Sequence, residues 1–512
     1  MSAQSTEREF TWLEGLAYCG AAIAIQLTSE MIAQWGTYFY SPTAGTGRTV
    51  YVAIGLVGII FITGRIFDAF TDPVIGRWSD RTKSRRARKR WWAPEGRRRP
   101  FIFWGSILMT GNFILFWYPP FAPESTGNLI FGTVVVCLHW IFFTLCVVPW
   151  LALGPEIARS KQARVKLGAW MALGMILGLA AAVILPGQFI EMLDPARHPV
   201  DGAEAAYSAA GYQRTAIIFA VTALILFQFF VWVVRERFDS AIEPARASTA
   251  SNLRDVAANF PFIIYLIAFL TFSIGNLAAQ RVIPYWAEAG LGGSEAWVSL
   301  LMLPFIGSAL FTALVITPVL GRIMPIKWLF FLSIAIITVA LPMMFVIGRA
   351  PLSTPLLPEG LMTAWMGLLA TESVLSANRA LLGACLFGFA GIGQGITYVL
   401  MTPLMGEIID FDEQRSGERR EALYNGFSGI AFKLGQSVSI LLATQSMSRF
   451  GNSVENPTGI LIVGPIAGFC GLIACIAILF YPRLHVTPET TEEFLEELEH
   501  EGPGQTTPAP RE

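Results

Sequence analysis

"GRIFDAFTDPVIGRWSDRTKSRR" (Gly64–Arg86) begins within an apolar run and ends in a basic loop. Asp68 and Asp72 lie four residues apart in this segment, so a helix places both carboxylates on one face. Charged side chains inside a bilayer are costly, and they usually pair with one another or face a polar cavity. The pattern therefore predicts a membrane helix whose two carboxylates are compensated by a bound cation or by a base on a neighbouring helix.

The composition of the whole chain is typical of a membrane protein. Of its 512 residues, 54% are hydrophobic and only 14% are charged, and the mean hydropathy is +0.54. Soluble domains carry about 25% charged residues. Twelve apolar runs are long enough to cross a bilayer, which takes roughly 20 helical residues. They lie near Leu13–Tyr40, Val50–Phe70, Phe101–Trp117, Leu129–Leu153, Leu167–Phe189, Thr215–Val234, Phe260–Trp286, Ala296–Val319, Trp328–Ile347, Leu381–Leu404, Leu423–Ala443 and Ile460–Tyr481.

Lysine and arginine are distributed unevenly over the loops between these runs. With a cytoplasmic N-terminus, the inner loops hold 24 of the 36 basic residues and the outer loops hold six. This bias predicts that both termini are cytoplasmic in a multi-pass protein of the cell membrane, the inner membrane in a bacterium. The eleven basic residues from Arg77 to Arg99 are typical of a topology determinant beside anionic lipid, and they do not indicate nucleic-acid binding.

The twelve spans divide into two sets of six, a common plan for secondary transporters with a site near the bilayer midplane. We predict an N-terminal six-helix half (1–234), a polar cytoplasmic linker (235–258), a C-terminal six-helix half (259–482) and an acidic cytoplasmic tail (483–512). The tail is either solvated or docked onto the basic inner loop. We expect the protein to be a monomer in the bilayer.

The sequence does not indicate an enzyme or a resident cofactor. Its four histidines are scattered and no HExxH motif occurs, so a metal-dependent hydrolase is not expected. All six cysteines fall inside predicted spans, without a CxxC pair, which is typical of small core residues rather than of disulfides or zinc ligands.

The acidic pair itself suggests a coupling ion. Asp68, Asp72 and the hydroxyl of Thr71 form an all-oxygen set that suits Na⁺, and one carboxyl can instead take a proton because close like charges raise one pKa. Lys433, inside the eleventh predicted span, is the expected basic partner. A purely structural salt bridge between helices is the alternative.

Three segments resemble the glycoside-pentoside-hexuronide:cation symporters, the melibiose-permease family of the major facilitator superfamily. They are Gly64–Arg86 with "RRRPF" (Arg97–Phe101), "FFTLCVVPWLALGPEIA" (Phe142–Ala158) and "GEIIDFDEQRSGERREALYNGFSGIAFKLGQS" (Gly406–Ser437). The resemblance implies the major facilitator fold and symport of a sugar, glycoside, uronide or related organic solute by alternating access. It also implies cation binding at Asp68, Asp72 and Thr144 and coupling through Lys433.

The sequence departs from the family at three positions. Thr71 replaces an asparagine of the family, which leaves the choice between Na⁺ and H⁺ open. The two aspartates that bind galactosides in the permease align with Ala22 and Val147. Their loss allows an alternative in which the substrate is amphipathic, such as a lysophospholipid. A second alternative is a non-transporting membrane sensor.

Further polar residues are candidates for the substrate cavity and for a conformational latch. The cavity candidates are Gln26, Glu30, Trp140, Asn276, Gln280 and Arg281. Glu30 and Arg281 either form an outer gate or face cavity water and headgroups separately. His139 is expected to be a hydrogen-bonded core residue rather than a proton relay. The residues that match the family's cytoplasmic latch are Gly76, Asp80, Arg81, Arg85, Glu407, Asp410, Arg419 and Glu421.

Overall fold

The computed structural model describes residues 11–82, 94–158, 160–198, 206–236, 259–416 and 420–482. Most of the predicted linker and all of the acidic tail lie outside these residues, as do Arg85 and Arg419 of the predicted latch. The division into two halves and a tail therefore stays a prediction. Within the described residues the chain is helical, and its one isolated β-bridge joins Ala44 to Ser453.

Each of the twelve predicted spans coincides with a helix, and we number these helices α1 to α12. They are α1 (Trp12–Tyr40), α2 (Ile54–Arg81), α3 (Arg99–Phe116), α4 (Thr126–Ile157), α5 (Lys161–Leu193), α6 (Ala210–Val233), α7 (Phe260–Gly290), α8 (Glu295–Leu320), α9 (Ile326–Arg349), α10 (Val374–Ser416), α11 (Glu421–Phe450) and α12 (Thr458–Leu479). Eleven of them are long and apolar enough to cross a membrane. The exception, α3, has 18 residues and begins at Arg99, so its span remains a prediction.

Two features of the helices were not expected from the sequence. Helix α10 continues twelve residues beyond the predicted end of its span, so Glu407 and Asp410 lie in a helix rather than in a loop. Hydropathy falls there because charged residues appear, but Ile408 and Ile409 stay buried and the segment continues as an amphipathic helix. A short helix, Glu359–Leu368, also forms between α9 and α10 and buries Met362.

The helices pack into two groups that contact each other at three places. Helices α1 to α6 pack among themselves, as do α7 to α12. Contacts between the two groups are made by α2 with α11, α5 with α8, and α1 with α7. We call the end of the bundle that holds Tyr40 the outer end, following the orientation that the charge bias predicts, and the opposite end the inner end.

The outer end is closed by a cluster of aromatic side chains. Trp35, Tyr38 and Tyr40 of α1 are at most 1% exposed, as are Tyr285 and Trp286 of α7. The rings of Tyr38 and Tyr285 meet edge to face with their centroids 4.8 Å apart, and the Tyr285 hydroxyl donates to the carbonyl of Ser41. The two helix groups therefore touch directly at this end.

Candidate functional site

The four side chains grouped by the sequence analysis as a cation and coupling site meet on three helices. The Lys433 ammonium of α11 lies 3.0 Å from Asp68 Oδ2 and 2.6 Å from Asp72 Oδ2 of α2. The Thr144 hydroxyl of α4 lies 2.8 Å from Asp72 Oδ1 and 3.3 Å from Asp68 Oδ1. The prediction that Lys433 lies close to the acidic pair is confirmed, and its coupling role stays a prediction. We call these four residues the carboxylate cluster.

The carboxylate cluster is buried on one side and open on the other. The side chain of Asp68 is 6% exposed, whereas those of Asp72 and Lys433 are 40% and 21% exposed. Pro73 follows Asp72 within α2 and removes one backbone hydrogen bond of that helix. Asp72 is therefore the more accessible of the two carboxylates.

Thr71 lies beside the cluster with its hydroxyl directed elsewhere. It donates to the backbone carbonyl of Asp68 at 3.2 Å, as mid-helix threonines commonly do. Among the described residues, no group of three or more His, Cys, Asp or Glu side chains converges on a point. A cation in this site would be held by the two carboxylates with the Thr144 oxygen.

Arg65 is a neighbour of the cluster that the sequence analysis missed. Its Nη1 lies 3.8 Å from Asp68 Oδ2, and its guanidinium lies 3.7 Å from the ring centroid of Trp140. The sequence contained the information needed to find Arg65, because a base three residues before Asp68 falls on the same face of α2. Asp68 therefore lies between two cations, and Trp140 contacts one of them.

Three predicted cavity residues, Glu30, Trp140 and Arg281, interact with Arg65 beside the carboxylate cluster, but the expected gate pair is not formed. Glu30 interacts electrostatically with Arg281 and Arg65, yet among the described residues neither Glu30 nor Arg281 has an ion-pair partner within 4 Å. Arg281 is also buried at 6% exposure, so it does not extend to the headgroups. Asn276 donates to Gln394 at 3.2 Å.

The remaining polar candidates, Gln26, Gln280 and His139, are partly or fully buried in the helix packing. Gln26 is half-buried, with its Cβ over Gly178 of α5, and Gln280 is half-buried on α7. His139 is fully buried, and neither ring nitrogen has a hydrogen-bond partner. The expectation that His139 is hydrogen-bonded is wrong, because its ring packs against Phe113 and other aromatic rings.

The cytoplasmic latch stays a prediction. Gly76 and the exposed Arg81 lie on the last turns of α2, and Glu421 begins α11. A different contact organises the inner end, because the Glu236 carboxylate accepts hydrogen bonds from the backbone amides of residues 97, 98 and 99 at the start of α3. An acid at a helix N-terminus is stabilised by the helix dipole.

The outer end carries a buried ion network that joins the two helix groups. Arg48, in the loop after α1, bonds to Glu288 of α7 and lies 2.5 Å from Glu295 of α8. Tyr38 donates to Glu288 at 2.6 Å, and Arg197 lies 3.4 Å from Glu295. The side chains of Arg48 and Glu288 are each 7% exposed. We call these five residues the outer ion network; in the sequence, Arg48 was only one of six outer bases.

The packing around Ala22 explains why no aspartate occupies this position of the expected sugar site. It is fully buried, and a Cβ placed on Gly174 of α5 would lie 2.8 Å from the Ala22 Cβ and 2.2 Å from the Cys19 carbonyl. Helices α1 and α5 therefore approach too closely at this level for a carboxylate to fit. Val147 is half-buried against a hydrophobic cluster.

We expect Ala22→Asp to destabilise the protein rather than to create a sugar site. An unpaired carboxylate in this contact would cost about 3 kcal/mol or more through overpacking and burial of charge. The thermal unfolding midpoint of the detergent-purified variant measures this, with half-buried Val147→Asp for comparison. Unchanged stability together with new galactoside binding would contradict the expectation.

Comparison with known proteins gives consistent results. The family model described as MFS/sugar transport protein matches residues 17–481. The isoprimeverose transporter of Lactiplantibacillus pentosus is 21% identical over 488 residues, covering 93% of this chain and 90% of that protein. The glucuronide carrier protein homolog of Escherichia coli (strain K12) is 22% identical, covering 96% of each. The crystal structure of a D-xylose-proton symporter superposes with a TM-score of 0.58 at 13% identity, covering 94% of this chain and 98% of that one, which confirms the fold.

Proposed function

The chain belongs to the family of MFS/sugar transport proteins, and we propose that it is a cation-coupled symporter of glycosides, uronides or related sugar solutes. The names of the relatives support this class of solute, since two of them denote an isoprimeverose transporter and a glucuronide carrier homolog. The single observation that carries the coupling is the carboxylate cluster, in which the Lys433 ammonium lies between two carboxylates.

Coupling follows from competition for the two carboxylates. In the described state the Lys433 ammonium offsets one of the two negative charges of the pair, as a small monovalent cation would. A Na⁺ ion or a proton that enters at Asp72 weakens the attraction of Asp68 and Asp72 for Lys433. Because Lys433 lies on α11 and the carboxylates on α2, this exchange acts on a contact between the two helix groups. Ion binding thereby biases which end of the bundle is closed.

The outer ion network supplies the second element of alternating access. Its charges are bonded to one another while water is excluded, and each is hydrated when the outer end opens. Charge-assisted bonds of this kind are strong in a dry contact and weak in water. We therefore infer that the network holds the outer end closed while solute leaves toward the inner end.

The two alternative functions have less support. The replacement of Ala22 does not make the cavity lipid-like, because this residue packs against α5 rather than lining open space. A non-transporting sensor would have no use for a lysine that contacts both carboxylates across the two helix groups.

Uptake into proteoliposomes tests the proposed function directly. We expect radiolabelled glycosides or uronides to accumulate above the external concentration when an inward Na⁺ or H⁺ gradient is imposed, and only to equilibrate when an ionophore collapses it. Vesicles without the protein serve as the control. Accumulation that needs neither gradient would contradict symport, and gradient-driven uptake of lysophospholipid alone would favour the lipid alternative.

A further inference from the structure

Arg281 is a buried cation that its surroundings leave incompletely bonded. The residue is 6% exposed on α7, and its Nη1 atom is buried without a hydrogen-bond partner. In the described part of the chain no carboxylate lies within 4 Å of its guanidinium. A buried charge without its bonds is costly, and the cost is removed when a group of opposite charge binds to it.

The neighbouring charges do not neutralise Arg281. Glu30 of α1 attracts it, but Glu30 also interacts with Arg65, and Arg65 repels Arg281. One carboxylate is thus shared by two guanidinium groups. Arg65 has further partners in Asp68 and Trp140, whereas the described residues provide Arg281 with no other acid.

The charge balance of the region favours an anionic solute once a cation is bound. Six charged side chains lie in this region and sum to zero, namely Arg65, Arg281, Lys433, Glu30, Asp68 and Asp72. A bound Na⁺ or proton leaves one excess positive charge in a low-dielectric setting. A solute carboxylate restores neutrality, so the cation and the solute each favour the binding of the other.

Neutral polar groups on α7 and α10 suit the hydroxyl groups of a sugar. Asn276, on the same helix as Arg281, donates to Gln394 of α10, and Tyr398 lies one turn after Gln394 on α10. Tyr398 interacts electrostatically with Glu30 and is 52% exposed, so this line of polar groups reaches open space. Amide and hydroxyl groups of this kind both donate and accept hydrogen bonds.

We propose that Arg281 binds the carboxylate of an acidic sugar solute, so that the transported molecule is a uronide rather than a neutral glycoside. The inference rests on the proposed function and narrows its solute class. Arg281 then recognises the negative charge of the solute, while the carboxylate cluster binds the coupling cation.

A pair of solutes that differ only at one carbon tests the proposal. Methyl β-D-glucuronide and methyl β-D-glucoside differ by the C6 carboxylate. We expect purified protein, with the coupling cation present, to bind the glucuronide at least about tenfold more tightly than the glucoside, the minimum expected of a hydrogen bond to a buried charged group. Arg281→Gln should remove this preference, and Arg281→Lys should retain part of it. Arg214→Gln, the same change at an exposed outer arginine, should leave it intact.

The outcomes separate this inference from the proposed function. Equal binding of the two solutes, tighter binding of the glucoside, or binding of neither would overturn the role of Arg281. So would an Arg281→Gln variant that keeps the full preference for the glucuronide. The proposed function is judged separately by cation-gradient-driven accumulation of any solute in the family's range. Thermal stabilisation of Arg281→Gln by Na⁺ or by acidic pH shows that the variant folds and keeps its cation site.

Discussion

Asp72→Asn is expected to abolish gradient-driven accumulation of solute, with initial uptake falling about 30-fold or more. Asp72 accepts from Thr144 and from Lys433, so the amide replaces a charge that two groups contact. Truncating one partner of such a pair costs about 2–5 kcal/mol, and 1.4 kcal/mol is a factor of ten. Asp68→Asn should have at least as large an effect, because Asp68 is the more buried carboxylate.

The measurement is uptake in proteoliposomes with and without an imposed Na⁺ or H⁺ gradient. Exchange of solute across the bilayer without a gradient distinguishes loss of coupling from loss of folding, and we expect it to persist. Glu372→Gln provides a matched control, since it neutralises an exposed acid in the loop before α10. Normal gradient-driven accumulation by both aspartate variants would show that the carboxylate cluster does not bind the coupling ion.

Arg48→Ala is expected to reduce transport by a comparable factor through a different cause. It removes the base that joins Glu288 and Glu295, and it leaves Glu288 with the Tyr38 hydroxyl and Glu295 with Arg197 at 3.4 Å. Removing one partner of a buried charge pair costs about 3–5 kcal/mol, which raises the free energy of the closed outer end. The variant should then remain open to the outside, bind solute there and fail to deliver it. Arg48→Lys should restore part of the transport, because one ammonium cannot bond both acids equally well.

Labelling from outside distinguishes an open gate from a misfolded protein. Gln34→Cys places a thiol one turn below Tyr38 on α1, at a position that is buried in the closed state. A membrane-impermeant thiol reagent should label this site several-fold faster when Arg48→Ala is also present, measured over the background of the parent protein. Arg349→Ala, which changes an exposed arginine at the outer end of α9, should leave both labelling and transport unchanged. Slow labelling in Arg48→Ala would place the closure of the outer end elsewhere.

The sequence was most informative where a chemical requirement is local. Asp68 and Asp72 share a helix face because of their four-residue spacing, and their cost in a bilayer marks them without any knowledge of neighbours. Lys433 could be assigned to the same site because it is a base inside an apolar span, and its contact with both carboxylates is confirmed. The end of α10 was missed for the converse reason, since hydropathy detects apolar runs and not the amphipathic helix that follows one.

The residues at the outer end could not be assigned from the sequence. Arg48 lies in a loop, where bases are common, and Glu295 begins α8, where acids are common, so neither is conspicuous in the sequence. The contacts of Arg48 with Glu288 and Glu295 join positions 240 and 247 residues apart. The predicted pair, Glu30 with Arg281, followed from the cost of buried charge in a bilayer, but in the structure the two groups interact only at longer range and form no ion pair.

The sequence by itself determined the membrane helices, their predicted orientation and the identity of the acidic pair, because apolar length, loop charge and helical spacing are properties of neighbouring residues. Only the tertiary structure decided which charges meet. It placed Arg65 on Trp140 and beside Asp68, turned Ala22 into the contact with α5, and left Arg281 buried without an acid of its own. Contacts between helices depend on the tilt and rotation of each helix and on the close approach that a residue such as Gly174 allows. None of these quantities is encoded within a single span.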